Sequence, residues 1–261
     1  MDLQLAGKRV FVSGSTQGIG YAVAVVCAEE GASVVLNGRT GTKVDHAVAR
    51  LREAVPGVDA SGIAADFAEP TQVQQLLLEL GPVDVLVNNV GLFDVKPFGE
   101  VSDEEWLSYF DVNVMSAVRL SRKLLGGMLD RGWGRIVFVG TESAVDVPGS
   151  MVHYGATKAA GLAMSNGLAK LTKGTAVTVN TVLGGPTYSE GVADSIQKIA
   201  SGQGISADDL KASLVREGSL IQRFIEPREI ADVVAFLASP RSSATNGAAI
   251  RADGGVLPTL V

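Results

Sequence analysis

The chain has 261 residues, 46% apolar and 19% charged, a balance that excludes wholesale disorder. Its 22 Lys and Arg against 28 Asp and Glu leave a net charge of -6, which excludes broad binding to nucleic-acid phosphates, since that needs a basic face. No apolar run approaches the ~20 residues of a membrane span, the first residues lack a signal-peptide core, and a single cysteine, Cys27, with two histidines, His46 and His153, suggests neither a disulfide nor a metal site, so a cytoplasmic protein is expected.

Short β-branched runs alternate with longer helical patterns. Residues 8–13 (KRVFVS) read as a buried strand and 18–30 as a helix. A strand at 32–37 and a helix at 41–54 follow, then a strand-like run at 60–65 and a helical stretch at 71–80. Residues 83–88 (VDVLVN) are a continuous apolar strand, and a long helix is expected over 103–130. The strand 135–140 (RIVFVG), a second long helix at 151–173 and the strand 176–182 come next. A helix at 227–238 and a short strand at 248–251 complete the pattern. Such alternation predicts one doubly wound α/β domain over 1–261, a Rossmann-type fold with a largely parallel seven-stranded sheet and helices on both faces. Residues 187–223 break the rhythm, as an insertion that covers a substrate would.

The first strand runs into Ser13-Gly14-Ser15-Thr16-Gln17-Gly18-Ile19-Gly20, and a helix opens at once. Glycines let a backbone turn approach a pyrophosphate, and the helix start offers free N–H groups and the positive end of its dipole. Gly14, Ser15, Thr16, Gly18, Ile19 and Gly20 are therefore the candidate nucleotide cradle. The second strand ends Asn37-Gly38-Arg39-Thr40, with an arginine where a ribose-binding carboxylate would stand. A guanidinium grips a phosphate with two hydrogen bonds, so NADP(H) is the preferred cofactor and NAD(H) the alternative. Asp66, beside Phe67 after the third strand, is placed to hydrogen-bond an adenine amino group.

Tyr154 and Lys158 are four apart in a helical stretch and share a face. An ammonium near a phenol favours the phenolate, and such a pair suits acid/base work on a carbonyl or carbinol oxygen. With these pieces in order, the chain resembles the classical short-chain dehydrogenases/reductases along essentially its whole length, most of all members labelled 3-oxoacyl-carrier-protein reductase-like. The segment Asn88-Asn89-Val90-Gly91 resembles the family's NNAG motif, and Asn113 matches its helix asparagine. The resemblance implies Asn113, Thr141, Tyr154 and Lys158 as the catalytic set. Tyr154 would move the proton, Lys158 would lower its pKa and bind the nicotinamide ribose, and Asn113 would hold a relay water. Asn89 and Gly91 would support the cofactor, and Gly185, Thr187 and Ser189 would lie around its nicotinamide. It also implies a homodimer or homotetramer built on the two long helices, with a small carbonyl or alcohol as substrate.

Three positions depart from the family pattern. Thr141 stands where serine is usual; it keeps the hydroxyl and adds a methyl that restricts its rotamer. Ser143 would replace it only through a local bulge. Val90 replaces the usual alanine, and Gly184 the usual proline, which is expected to loosen the loop under the nicotinamide. These departures motivate a rival reading, a catalytically degenerate nucleotide-binding regulator or interaction protein. Phe93, Lys96, Asp146, Met151 and Tyr188 are weaker candidates for a substrate wall. His153, Cys27, Trp106 and Trp133 read as packing residues.

Overall fold

In a computed structural model describing residues 1–259, apart from the Ser195 side chain, the alternation becomes β1 (Arg9–Val12), α1 (Gly18–Glu29), β2 (Ser33–Gly38), α2 (Gly41–Ala54), β3 (Ala60–Ala64), α3 (Pro70–Glu79) and β4 (Val85–Asn88). The chain continues through α4 (Asp103–Phe110), α5 (Ser116–Asp130), β5 (Trp133–Thr141), α6 (Val152–Leu171) and β6 (Ala176–Gly184). It ends with α7 (Glu190–Gln203), α8 (Ala207–Ser213), α9 (Pro227–Ala238) and β7 (Ala249–Ala252). The strands form one parallel sheet in the order β3-β2-β1-β4-β5-β6-β7. The order reverses between β1 and β4, and a doubly wound sheet binds ligands in the crevice beyond the strand ends at that point.

Both faces of the sheet are covered, which is why its strands are apolar at consecutive positions. Val10, Val12, Leu36, Val87 and Val139 pack on one face with Val23, Cys27, Leu51 and Val234 from α1, α2 and α9. Phe11, Val35, Leu86, Ile136 and Phe138 pack on the other with Leu76, Leu120, Leu124 and Met128 from α3 and α5. Burial pushes the Cys27 thiol up to about 12, so it serves as a small apolar residue.

One expectation is refined and one corrected. The helix expected over 103–130 spans that range, opening on a Ser102/Glu105 capping box, but Asp111–Met115 winds as a π-helix between α4 and α5. A π turn admits one more residue per turn, and Asn113 sits inside this one. Gly184 does not loosen a loop. It is the last residue of β6, buried and paired with Thr141 on one side and Ala252 on the other. The longer pairing of β5 and β6 also fixes Thr141 at the end of the ladder. The segment 187–223 holds α7 and α8 and returns to the body through a Thr187–Ile225 bridge and the N–H groups of Leu220 and Ile221 on the Gly254 carbonyl. Among the described residues no helix is long and apolar enough to cross a membrane.

Candidate active site

Residues 13–20 fold back on themselves between β1 and α1. Gly14 and Gly18 have φ of +62° and +59°, where a side chain would be strained. A Cβ on Gly20 would meet Asn89 Nδ2 and the Gly14 carbonyl at 2.5 Å, and one on Gly14 would meet Val90 Cγ2 at 2.9 Å. The turn is braced from both neighbouring strands. Asn89 Nδ2 donates to the Ser13 and Gly14 carbonyls at 3.0 and 2.9 Å. Asn37, at the end of β2, accepts the Gly14 N–H on Oδ1 at 3.0 Å. Ser15 joins the same brace, donating to the Val12 carbonyl at 2.7 Å and accepting the Asn37 N–H at 2.9 Å.

Gln17 gives α1 no side-chain cap. The Gly18 N–H is instead taken at 2.7 Å by Glu190 Oε2 from α7, with Arg50 3.7 Å from that carboxylate. An anionic oxygen thus already stands at this helix start, as a phosphate oxygen would. Arg39 lies exposed at the end of β2, with no hydrogen bond or ion pair among the described residues. Asp66 is half-buried and accepts the Ala68 N–H at 3.0 Å, and Phe67 is buried beside it. The turn, a helix start that already binds an anionic oxygen, and the free guanidinium fit a dinucleotide with an added phosphate.

The second cluster gathers at the ends of β4 and β5. Lys158 Nζ donates to the Val139 carbonyl at 3.2 Å and lies 5.8 Å from the centre of the Tyr154 ring. A Cβ on Gly91 would come 3.1 Å from Lys158 Nζ and 3.6 Å from Asn113 Oδ1, so all three groups meet there. Asn113 accepts the Leu92 N–H at 2.6 Å and donates to the Leu92 carbonyl and Thr157 Oγ1 at 3.1 and 3.0 Å. It ties the end of β4 to α6 across the π turn. The Thr141 hydroxyl donates to Glu142 Oε2 at 2.5 Å, accepts the Ser143 N–H at 3.2 Å and is close enough to Tyr154 to act on its phenol. Ser143 Oγ donates to the other oxygen of the same carboxylate, Glu142 Oε1, at 3.1 Å.

Burial, then the Glu142 charge, raises Tyr154 well above the ordinary phenol range, with Tyr109 adding to the rise and the Thr141 hydroxyl opposing it. The expected lowering by Lys158 is not seen. Burial brings Lys158 itself down to about 8, so it has lost its charge where this phenol titrates. The cluster therefore presents a protonated phenol, a hydroxyl beside it and a buried amine, a set able to hand a proton to a carbonyl oxygen.

Residues 8–200 match the sequence pattern of the family described as short chain dehydrogenase. The chain belongs to the short-chain dehydrogenase family. This dehydrogenase is 42% identical to the uncharacterized oxidoreductase YvaG of Bacillus subtilis (strain 168), with both chains covered in full. It is 31% identical to the 3-oxoacyl-[acyl-carrier-protein] reductase FabG of Vibrio cholerae, over 97% of this chain and 99% of that one. Its fold matches that of L-sorbose reductase from Gluconobacter frateurii, solved with NADPH and L-sorbose, with a TM-score of 0.94, 33% identity and full coverage of both chains. Family and relatives together make it an NAD(P)-dependent oxidoreductase.

The remaining candidates in the dehydrogenase divide. Phe93 is 61% exposed and sets its ring edge-on to Tyr154 at 5.3 Å, at the mouth of the cluster. Tyr188 lines a pocket with Gly18, Tyr21, Glu226 and Arg228, away from Thr141, Tyr154 and Lys158, and its ring lies under Lys211 at 3.6 Å. Lys96 is engaged by both oxygens of Glu105 at 2.7 Å, Met151 is buried and Asp146 is exposed. Thr187 Oγ1 donates to the Gly185 carbonyl at 2.8 Å. Ser189 lies over the glycine turn, its Cβ 3.4 Å from where a Gly18 Cβ would be. Gly185 has no room for a side chain against the Asp253 backbone, 2.6 Å away. His153 is buried between Tyr109 and Trp106, as a packing residue. Sequence reasoning missed Asn37, Thr157, Glu142 and Glu190. A polar residue ending an apolar strand was the available signal for Asn37 and Glu142; the other two acquire partners only through the fold.

Proposed function

We propose that this dehydrogenase interconverts a carbonyl and a secondary alcohol on a small hydroxylated molecule with NADP(H), Tyr154 acting as general acid and base. The observation that carries the proposal is the meeting of Tyr154, Thr141 and Lys158 at the end of β5, in the crevice that the glycine turn also lines. When bound, the nicotinamide supplies or accepts the hydride. Tyr154 then gives its phenolic proton to the carbonyl oxygen in reduction and takes one from the alcohol in oxidation. Thr141 keeps its hydroxyl at the phenol despite the added methyl, which favours turnover over the rival regulatory role. Lys158 in its ammonium form hydrogen-bonds ribose hydroxyls, and Asn113 braces Leu92 and α6 around it.

Arg39 is the residue for the 2′-phosphate, Asp66 and Phe67 frame the adenine, and the 13–20 turn with Asn89 takes the pyrophosphate. Gly91, Gly185, Thr187 and Ser189 complete the cofactor wall. A hydroxylated substrate is supported by the likeness to L-sorbose reductase. The segment 187–223 acts as the substrate lid, a role supported by Arg216, whose contact is described below. Leu107 and Phe110 on α4 and Leu171 on α6 are 70%, 40% and 62% exposed, which supports a homodimer or homotetramer on these helices. Free, buried Cys27 agrees with a cytoplasmic setting. Paired titration of NADPH and NADH tests the cofactor. Arg39→Ala is expected to weaken NADPH about 10- to 100-fold, the loss of a charge-assisted phosphate contact, and to leave NADH nearly unchanged. Equal weakening of both would overturn the role of Arg39.

A further inference from the structure

Glu142 is a carboxylate buried to 4% side-chain exposure at the end of β5, in the three-residue turn that follows Thr141. It is not one of the residues assigned above to proton transfer. Oε2 accepts the Thr141 hydroxyl at 2.5 Å, and Oε1 accepts the Ser143 hydroxyl at 3.1 Å. The third partner comes from the 187–223 segment. Arg216, just beyond α8, reaches Oε1 at 3.0 Å with a side chain that is 33% exposed. One carboxylate thus holds the proton of the hydroxyl at the reacting tyrosine with one oxygen and the segment over the cleft with the other.

A threonine hydroxyl has a single proton and two lone pairs. With its proton on Glu142, Thr141 takes the Ser143 N–H on one lone pair and keeps the other available to the neighbouring Tyr154 phenol. Loss of Glu142 frees that proton to swing away, and loss of Arg216 removes what holds the segment to the end of β5. Resting on the oxidoreductase reading given above, we infer that Glu142 is a positioning residue that orients the Thr141 hydroxyl and, through Arg216, clasps the 187–223 segment over the reacting groups. Orientation and closure are then one arrangement.

The groups that face Tyr154 are Glu142 and Thr141 from the end of β5, Lys158 from α6, Tyr109 from α4 and the Phe93 ring, with Arg216 acting through Glu142. The two clasp residues carry opposite charges, so their removal has opposite effects on the phenol and the same effect on the segment. Charge alone sets the sign of each phenol shift, so the clasp is read from exchange: two independent stabilising contacts would give additive effects in the double variant.

The test uses Glu142→Gln, Arg216→Met and the double variant of the full chain. Amide hydrogen exchange over 206–222 is expected to quicken several-fold in each single variant and no further in the double, because both substitutions open one clasp. Absorbance titration of the phenols, with Tyr154→Phe subtracted, is expected to show phenolate at lower pH in Glu142→Gln and at higher pH in Arg216→Met. With L-sorbose and NADPH, both variants should raise KM several-fold, and Glu142→Gln should also lower kcat. Wild-type exchange in Arg216→Met, additive effects in the double variant, or titration shifts of one sign would overturn the clasp. Arg216 is partly exposed, so its variant stays informative should Glu142→Gln fold poorly. Exchange and titration need neither substrate nor cofactor. A wild type inactive on L-sorbose would therefore count against the proposed hydroxylated substrate while the clasp is decided separately.

Discussion

Tyr154 is a phenol kept protonated by burial and by the carboxylate of Glu142. Such a group is ready to give a proton, and its phenolate is scarce at neutral pH. Carbonyl reduction is therefore expected to hold level up to about pH 8 and to fall above it, as Lys158 loses its proton. Alcohol oxidation draws on the small phenolate fraction and should rise up to that point, by at most about tenfold per pH unit. Lys158→Arg, whose charge persists, should remove the fall. Initial rates in both directions check this; oxidation that stays level while reduction climbs with pH would contradict it. At this scale, legibility in the sequence followed chain distance. Tyr154 and Lys158, one turn apart, and the glycines of 13–20 could be recognised because their spacing is local. Glu142 could not, because its meaning depends on Arg216, which only the return of the 187–223 segment brings to it.

Elements were legible wherever hydrophobic periodicity determined them, and less so where a side chain bends the backbone to a task. The strands of the sheet and the helices that cover it fall within a few residues of expectation. The π turn at Asp111–Met115 did not show, since one extra residue barely disturbs the apolar pattern of a 28-residue stretch spanning 103–130. Its rationale is the grip of Asn113 on Leu92 and Thr157. Another element-level feature is Arg135 on β5, fully buried with no carboxylate partner among the described residues. It donates to the carbonyls of Gly134, Ala176 and Ser239 at 2.9, 2.7 and 3.1 Å, and its guanidinium lies 4.7 Å from the Trp133 ring centre. Burial lowers its pKa to about 10. Arg135 thereby joins β5, β6 and the end of α9. Arg135→Ala leaves three carbonyls without this donor and is expected to destabilise by about 3 kcal/mol, or about 6–12 °C in Tm. Thermal unfolding checks this, and an unchanged Tm would show that desolvation of the charge already offsets its hydrogen bonds.

For the whole molecule, the parallel sheet sets the end of β1, the end of β4 and the end of β5 side by side at the reversal of strand order. That places the glycine turn, Gly91 with Asn113, and the Thr141–Tyr154 pair along one crevice, as the proposed reaction requires. Fold and family were legible in the sequence because the motifs occur in order along the chain. The identity of the substrate was not, because the proposed lid, 187–223, would select it by a shape that arises only on packing. The central claim is that Tyr154 performs the proton transfer of an NADP(H)-dependent reaction. The measurement that tests it most directly compares the wild type with Tyr154→Phe for NADPH binding and for NADPH oxidation over a panel of ketoses and 3-oxoacyl esters. The expected result is turnover by the wild type that falls about 10²- to 10⁴-fold in Tyr154→Phe, with NADPH affinity preserved. Turnover that survives the substitution would contradict the account.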